Sequence, residues 1–276
     1  MTCMHALSID LEDWFMVQNF ANRYSHADWD RLELRVAANT AKLLDLFDEC
    51  GVRATFFVLG WIAHRLPDLI TEIEHRGHEI GTHGYGHERV IDLGPEAFRR
   101  DLFVSLEHLA RCAKNPIIGF RAPSFSVDPT QDWIFKTLSD AGILYDSSLF
   151  PVPFHPDYAN AGVPLEPYEI RQGLMEFPMT CIPRFGMNIP CSGGGYFRMF
   201  PYQWFKYGFR HCEKHGRPGV FYLHPWEIDP GQPRVTGLPL SKRFRHYVNQ
   251  HKTYPRLRRL LHDFSFSPLK DVLELG

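Results

Sequence analysis

The chain has 276 residues, of which 44% are hydrophobic and 22% charged, as in an ordinary globular protein. A chain of this length can bury about 75% of the surface that its unfolded form exposes, so it needs no disulfide framework to be stable. The net charge of −2 gives no general attraction for nucleic acid, and no apolar run approaches the roughly 18 residues of a membrane span.

Strand and helix signals alternate along the chain. The helices are marked by their ends, such as Gly51 after one amphipathic stretch and Pro67 at the start of the next. The predicted elements are, in chain order, a strand at 7–10, a helix at 40–50, a strand at 54–59, a helix at 67–77, a strand at 78–81, a helix at 95–113, a strand at 117–120, a helix at 131–140, and strands at 143–145 and 220–223.

This alternation predicts an α/β fold made of parallel βαβ units. We favour an irregular or incomplete (β/α) barrel, and an open doubly wound sheet is the alternative. Residues 151–200 interrupt the pattern with many prolines and the run Gly193-Gly194-Gly195. We predict that this segment is a long, loop-rich insertion over one end of the sheet.

Ionisable residues follow nearly every predicted strand. They are Asp10, Glu12 and Asp13 after the first strand, His83 and His87 after the third, and then Arg121, Asp146 and His224. Active sites of parallel α/β folds lie at the carboxyl ends of the strands, so these side chains should meet in space. Packing alone does not explain such a pattern.

Two of these groups suit a metal site. His83 and His87 are four residues apart, and both imidazoles could reach one ion, although surface or capping histidines have the same spacing. Strand alternation places Asp10 and Glu12 on one side, where two carboxylates repel unless a cation lies beside them. One carboxylate could then bind the ion and the other act as a base. Helix capping is the structural alternative for these acids.

The remaining strand-end residues suit proton transfer. Arg121 could hold a carboxylate by a two-pronged hydrogen bond and keep it ionised, or it could form a purely structural salt bridge. His224 suits a general acid, although a lone histidine at a strand end is more often part of the core.

In chain order, the residues resemble five motifs of the NodB-homology polysaccharide deacetylases, which are also grouped as carbohydrate esterase family 4. The matching positions are Ser8-Ile9-Asp10-Leu11-Glu12-Asp13, His83-x-x-x-His87, Arg121-x-Pro123, Asp146 and Leu223-x-His224. The resemblance covers residues 5–230 and implies a NodB-type (β/α) barrel there. The tail with Phe264-Ser265-Phe266 resembles the branch associated with bacterial exosortase and exopolysaccharide gene clusters. We therefore expect one domain over residues 1–276, with a helical extension at 231–276 packed on the core.

The resemblance also implies a role for each residue. The metal ligands would be Glu12, His83 and His87. The commoner first motif has two adjacent aspartates, whereas here Asp10 and Glu12 match a variant with one residue between the acids, so Asp13 stays open as the ligand instead of Glu12. Asp10 would be the catalytic base, oriented by Arg121. His224 would be the catalytic acid, with its charge tuned by Asp146.

The implied function is removal of N-acetyl groups from N-acetylated sugars of a polysaccharide or its precursor, by water activated on one divalent metal. Two nitrogens and an oxygen suit Zn²⁺, and Co²⁺, Ni²⁺ or Fe²⁺ would accept the same ligands. An allantoinase-like hydrolase of cyclic amides and an inactive, glycan-binding deacetylase fold are the alternatives. The expected partner is the glycan substrate, with no nucleic acid and no transmembrane segment. No signal peptide is seen in the chain as given, so we expect a cytoplasmic location.

Overall fold

The computed structural model describes residues 3–153, 160 and 162–275. Its strands are β1 (His5–Leu11), β2 (Thr55–Val58), β3 (Glu79–Thr82), β4 (Gly119–Phe120), β5 (Tyr145–Asp146), β6 (Tyr168–Arg171), β7 (Leu174–Glu176), β8 (Cys181–Arg184), β9 (Met187–Pro190), β10 (Val220–Leu223) and β11 (Phe266–Ser267). Its helices are α1 (His26–Trp29), α2 (Val36–Cys50), α3 (Gly60–Arg65), α4 (Pro67–His75), α5 (Val90–Leu109), α6 (Asp132–Asp140), α7 (Gly194–Met199), α8 (Tyr202–Lys214), α9 (Leu240–Tyr247), α10 (Gln250–Asp263) and α11 (Leu269–Val272). Each predicted helix and strand overlaps one of these elements.

One sheet organises the molecule, with the strand order β10-β1-β2-β3-β4-β5-β7-β6 and with β11 also paired to β1. All of its strand pairs are parallel except that of β6 with β7. Among the described residues, the two end strands β10 and β6 do not pair with each other, so the sheet curls into an open half-barrel. This confirms the predicted incomplete barrel of parallel strands.

The segment at 151–200 contributes more regular structure than its composition predicts. Strands β7 and β6 continue the main sheet beyond β5, and β8 and β9 form a separate antiparallel hairpin. Each of these strands has four residues or fewer, which is too short for its alternation to stand out among prolines and glycines. Residues 154–159 and 161 of this segment lie outside the described residues.

The main hydrophobic core lies between the first three strands and the helices that cover them. It includes Leu43 from α2, Ile70 from α4, Phe205 from α8 and Leu257 from α10. The last of these comes from the predicted extension, so residues beyond 230 share this core. No helix of the described chain combines the length and the apolar character that crossing a bilayer requires.

Candidate active site

A cavity of about 350 Å³ opens at the carboxyl ends of β1, β3 and β10. Its lining includes most of the residues that the sequence predicted to meet there, namely Asp10, Glu12, His83, His87 and His224. The residues come from distant parts of the chain, and the parallel sheet aligns the ends of their strands. The predicted convergence of these side chains is therefore present in the structure.

Glu12, His83 and His87 form a compact cluster of ligand atoms. The Nε2 atoms of both histidines lie 3.1 Å from Oε1 of Glu12. One ligand atom from each residue can be chosen so that all lie within 4.8 Å of one another, and the three side chains are almost completely buried. Burial by itself would raise the pKa of Glu12, but His87, His224 and His83 lower it well below its usual range.

The hydrogen bonds of His83 favour a cation at this cluster. Its Nδ1 lies 2.7 Å from the carbonyl oxygen of Arg121, which can only accept, so Nδ1 carries the proton. In the neutral ring, Nε2 then presents a lone pair toward the carboxylate of Glu12. Two acceptors face each other without repulsion only if the ring is charged or a cation lies between them. The carbonyl bond also orients the ring as metal-binding histidines usually are.

The loop that carries both histidines is held from α5. Asp101 accepts hydrogen bonds from the backbone N–H groups of Tyr85 and Gly86, at 2.9 and 3.4 Å. Gly84 has a φ of +72°, and a Cβ there would lie 2.7 Å from Asp101 Oδ2, so a larger residue does not fit. Sequence reasoning did not identify Asp101, because nothing near it in the chain marks it as a partner of this loop.

Arg121 contacts Asp10, but through one nitrogen and not by the two-pronged hydrogen bond that the sequence suggested. Nη1 of Arg121 donates to Oδ1 of Asp10 and to Oγ of Ser8, each at 2.7 Å. Nε and Nη2 of the same guanidinium donate to the carbonyl and hydroxyl of Ser147. Arg121 and Asp10 are almost completely buried, so the ion pair is little screened by water. This geometry leaves Oδ2 of Asp10 facing the cavity side, 3.9 Å from His224.

His224 has a different partner from the predicted one. Its Nδ1 lies 3.1 Å from Oε2 of Glu227, whose other oxygen accepts from Nε of Arg198 at 2.9 Å. Nε2 points toward Glu12, at 3.6 Å, and Asp10. Burial disfavours the imidazolium, but Glu12, Glu227 and Asp10 outweigh it and raise the pKa of His224 to about 9. With no cation at Glu12, the ring is thus protonated at neutral pH, which is the form that a general acid requires.

The prediction that Asp146 tunes His224 is wrong, because Asp146 is committed elsewhere. It accepts a hydrogen bond from Ser148 and lies opposite Glu176 in the β5–β7 pair. Burial raises the pKa of Asp146 to about 7, and burial together with the charge of Asp146 raises the pKa of Glu176 well above its usual range. One oxygen of each carboxyl is buried without a hydrogen-bond donor, and a shared proton would satisfy both.

Asp13 does not join the cluster. Its Oδ1 accepts from the N–H of Trp14 at 2.8 Å, and its Oδ2 accepts from the N–H groups of Arg35 and Val36 at 2.7 and 2.9 Å. Asp13 therefore caps the start of α2, which begins one turn earlier than predicted. The helix-capping reading of this acidic run holds for Asp13, while Glu12 faces the histidines.

The fold and the site together define the class of protein. It is an open (β/α) barrel with a cluster of two histidines and one carboxylate at the ends of its strands. Residues 26–143 match the family described as Polysaccharide deacetylase, and residues 147–274 match a family described as a domain of unknown function (DUF3473). The chain therefore contains a polysaccharide deacetylase domain of the NodB type.

Relatives of known name match less than half of the chain. A peptidoglycan-N-acetylglucosamine deacetylase of Bacillus cereus is 32% identical over 125 residues, which is 45% of this chain and 56% of that protein. Chitin deacetylase 1 of Saccharomyces cerevisiae is 33% identical over 98 residues, which is 36% of this chain and 33% of that protein. The chain thus spans less than two thirds of either relative.

Solved structures match over the whole chain. A protein of Mycobacterium smegmatis assigned as a polysaccharide deacetylase superimposes with a TM-score of 0.65 at 22% identity, covering 99% of this chain and 90% of that one. A Bacillus anthracis protein described as a pseudoenzyme of carbohydrate esterase family 4 has a TM-score of 0.52 at 12% identity, covering 99% and 66%. At these identities the likeness establishes the fold, and activity must be argued from the side chains.

Proposed function

We propose that this protein is a metal-dependent hydrolase that removes N-acetyl groups from N-acetylated sugars of a polysaccharide or its precursor. The observation that carries the proposal is the meeting of three metal-type ligands with an arginine-held aspartate and a protonated histidine in one cavity. The matches to named deacetylases support the same substrate class.

The donor set fits one divalent cation. Glu12, His83 and His87 would supply one oxygen and two nitrogens, which leaves positions open for water and substrate. Zn²⁺ suits these donors, and Co²⁺, Ni²⁺ or Fe²⁺ would also fit. When bound, such an ion lowers the pKa of a coordinated water from 15.7 toward about 7 and polarises a carbonyl.

The chain's own residues would handle the protons. Asp10, held in place by Arg121, would accept the proton of the attacking water through its Oδ2. His224, held by Glu227, would deliver a proton to the leaving nitrogen, which is otherwise a poor leaving group. Acid and base help of this kind is worth roughly 10²–10⁴-fold in rate.

The turn at Ser124 suits stabilisation of the oxyanion. Ser124 and Phe125 lie at the cavity with φ values of +55° and +54°, a conformation that non-glycine residues rarely adopt and that often occurs at functional sites. The N–H of Phe125 already donates to Ala122, whereas that of Ser124 has no acceptor among the described residues. We propose that the Ser124 N–H donates to the developing oxyanion.

The aromatic lining suits a sugar ring. Phe125, Tyr222 and Trp226 contribute to the cavity wall, and faces of this kind commonly stack against the apolar faces of sugars. The proposal does not specify which N-acetylated glycan is used.

The decisive experiment measures acetate release from a panel of N-acetylated oligosaccharides, with and without a chelator. We expect acetate from at least one glycan, loss of release on chelation, and recovery on adding a divalent metal. Asp10→Asn should bind metal and the same glycan but release almost no acetate. Chelator-resistant turnover, or ring opening of a cyclic amide without acetate release, would overturn the proposal. Glycan binding without turnover under all metals would instead indicate an inactive fold.

A further inference from the structure

Helix α9 presents an unusual surface beside the mouth of the cavity. Leu240 and Phe244 are 80% and 63% exposed, which is high for apolar side chains of this size. They are four residues apart, so they lie on the same face of the helix. At roughly 100° per residue, Arg243 and Arg245 flank this apolar pair on opposite sides. We call these four residues the α9 face.

The two arginines of the α9 face are exposed. Among the described residues, neither Arg243 nor Arg245 has a carboxylate within ion-pair distance, whereas most arginines in the chain do. Arg245 also lines the cavity, so the α9 face and the cavity share an edge. An apolar centre with unpaired cations on both sides is the pattern of helices that lie in the interface of an anionic bilayer.

The opposite side of α9 is fixed to the active site. The ring of His246 is fully buried, stacks on Trp226 with centroids 4.4 Å apart, and hydrogen-bonds to Gln232 at 2.7 Å. Nη1 of Arg198 donates to the carbonyls of residues 245 and 246 at the end of the helix. These contacts tie α9 to Trp226 in the cavity wall, so the α9 face has a defined position relative to the cavity.

We propose that the α9 face docks on an anionic phospholipid surface, with Leu240 and Phe244 inserted below the headgroups and Arg243 and Arg245 among them. The apolar area argues for lipid over a stable protein partner. Two side chains of this kind offer at most a few hundred Å², well short of the roughly 800 Å² that each partner of a standard protein interface buries. Docking would place the cavity mouth at the bilayer and favour glycans displayed there. This last step rests on the proposed function, whereas the docking itself does not.

The test is sedimentation of the full chain with vesicles, measured without turnover. Binding to vesicles of phosphatidylglycerol mixed with phosphatidylcholine should exceed binding to phosphatidylcholine alone and fall with salt. The double variant Arg243→Gln/Arg245→Gln should lower the partition coefficient by roughly 25-fold, since each basic side chain near an anionic bilayer contributes about fivefold. Leu240→Ser/Phe244→Ser should lower it at least tenfold.

Phe185→Ser is the matched control, because Phe185 is 82% exposed but lies in the turn between β8 and β9. It should bind vesicles as the unmodified chain does. Equal binding to both kinds of vesicle, no binding at all, or unchanged binding by both α9 variants would overturn the proposal. If Leu240→Ser/Phe244→Ser instead converts a dimer to a monomer in gel filtration, the α9 face is a self-association surface. Acetate release is assayed separately, so failure of docking and failure of the deacetylase proposal are distinguishable.

Discussion

Glu12 and Asp13 are adjacent acidic residues for which the structure predicts opposite consequences of substitution. Glu12→Gln replaces a carboxylate that faces two imidazoles with a neutral amide, so it should abolish metal retention and leave the metal-free fold nearly as stable. Asp13→Ala removes the acceptor of three backbone N–H groups. At about 1 kcal/mol for each lost hydrogen bond, it should lower the free energy of unfolding by about 3 kcal/mol. For a chain of this size that is a fall in Tm on the order of 6 °C.

The assay pairs urea unfolding of chelated protein with elemental analysis of the folded fraction after reconstitution with Zn²⁺. Asp13→Asn is the intermediate control, because its side chain keeps one acceptor oxygen. Its free energy of unfolding should lie between those of the unmodified chain and Asp13→Ala. Folded Asp13→Ala should still bind about one metal ion per chain. The reasoning is refuted if Asp13→Ala loses the metal at unchanged stability while Glu12→Gln retains it.

Three further predictions follow from the site and the core. Asp10→Asn and His224→Ala should each keep the metal but lower kcat by roughly 10²-fold or more, with a smaller change in KM; unaltered turnover in either would contradict the assigned roles. Gly194→Ala should lower both stability and activity, since its Cβ would overlap Glu227 Oε2 and displace the contact with Arg198, and wild-type unfolding and turnover would contradict this. Burial lowers the pKa of His5 and of His78 to about 4, and that of His246 to about 3. These rings stay neutral in the folded protein down to about pH 4, whereas in the unfolded chain they titrate near 6.5. Their contribution to the free energy of unfolding is therefore complete above pH 6.5 and is lost on acidification toward pH 4. At pH 5 the loss is on the order of 2 kcal/mol per ring. Urea midpoints at pH 7 and pH 5 test this, and His78→Asn, which retains a hydrogen-bond acceptor, should reduce the difference; identical midpoints would contradict it.

The sequence predicted the parts of the site that follow from strand alternation and strand ends. Asp10 near the end of β1 and Glu12 just after the strand are two residues apart and both face the cavity, while Asp13 turns away. His83 follows β3 and His224 follows β10, so both reach the same edge of the sheet. These are local rules of side-chain direction, and they transfer from sequence to structure whenever the strand itself is correctly located.

The partner of His224 could not be obtained from that rule. Asp146 is at a strand end, but the order of the sheet places β5 four strands away from β1 and five from β10, beside β7 and its Glu176. The true partner, Glu227, lies three residues after His224, where its side chain reaches back to the His224 N–H at 3.0 Å. That spacing, with Pro225 at the first position of the turn, is the pattern of a capping box and is the signal in the sequence that could have identified Glu227.

The pairing of β1 with β10 explains how base and acid come together from opposite ends of the chain. Ile9 lies opposite Leu223 in this parallel pair, so the next residues, Asp10 and His224, lie side by side. A slip of one residue would turn one of the two side chains to the other face and separate them. The register is fixed on both sides, because β1 also pairs with β2, where Asp10 lies opposite Phe57. The Phe57 ring packs under the Arg121 guanidinium, which also binds the Asp10 carboxylate. The distance between the two proton-transfer groups is therefore a property of the sheet, and we expect it to persist when either side chain is substituted.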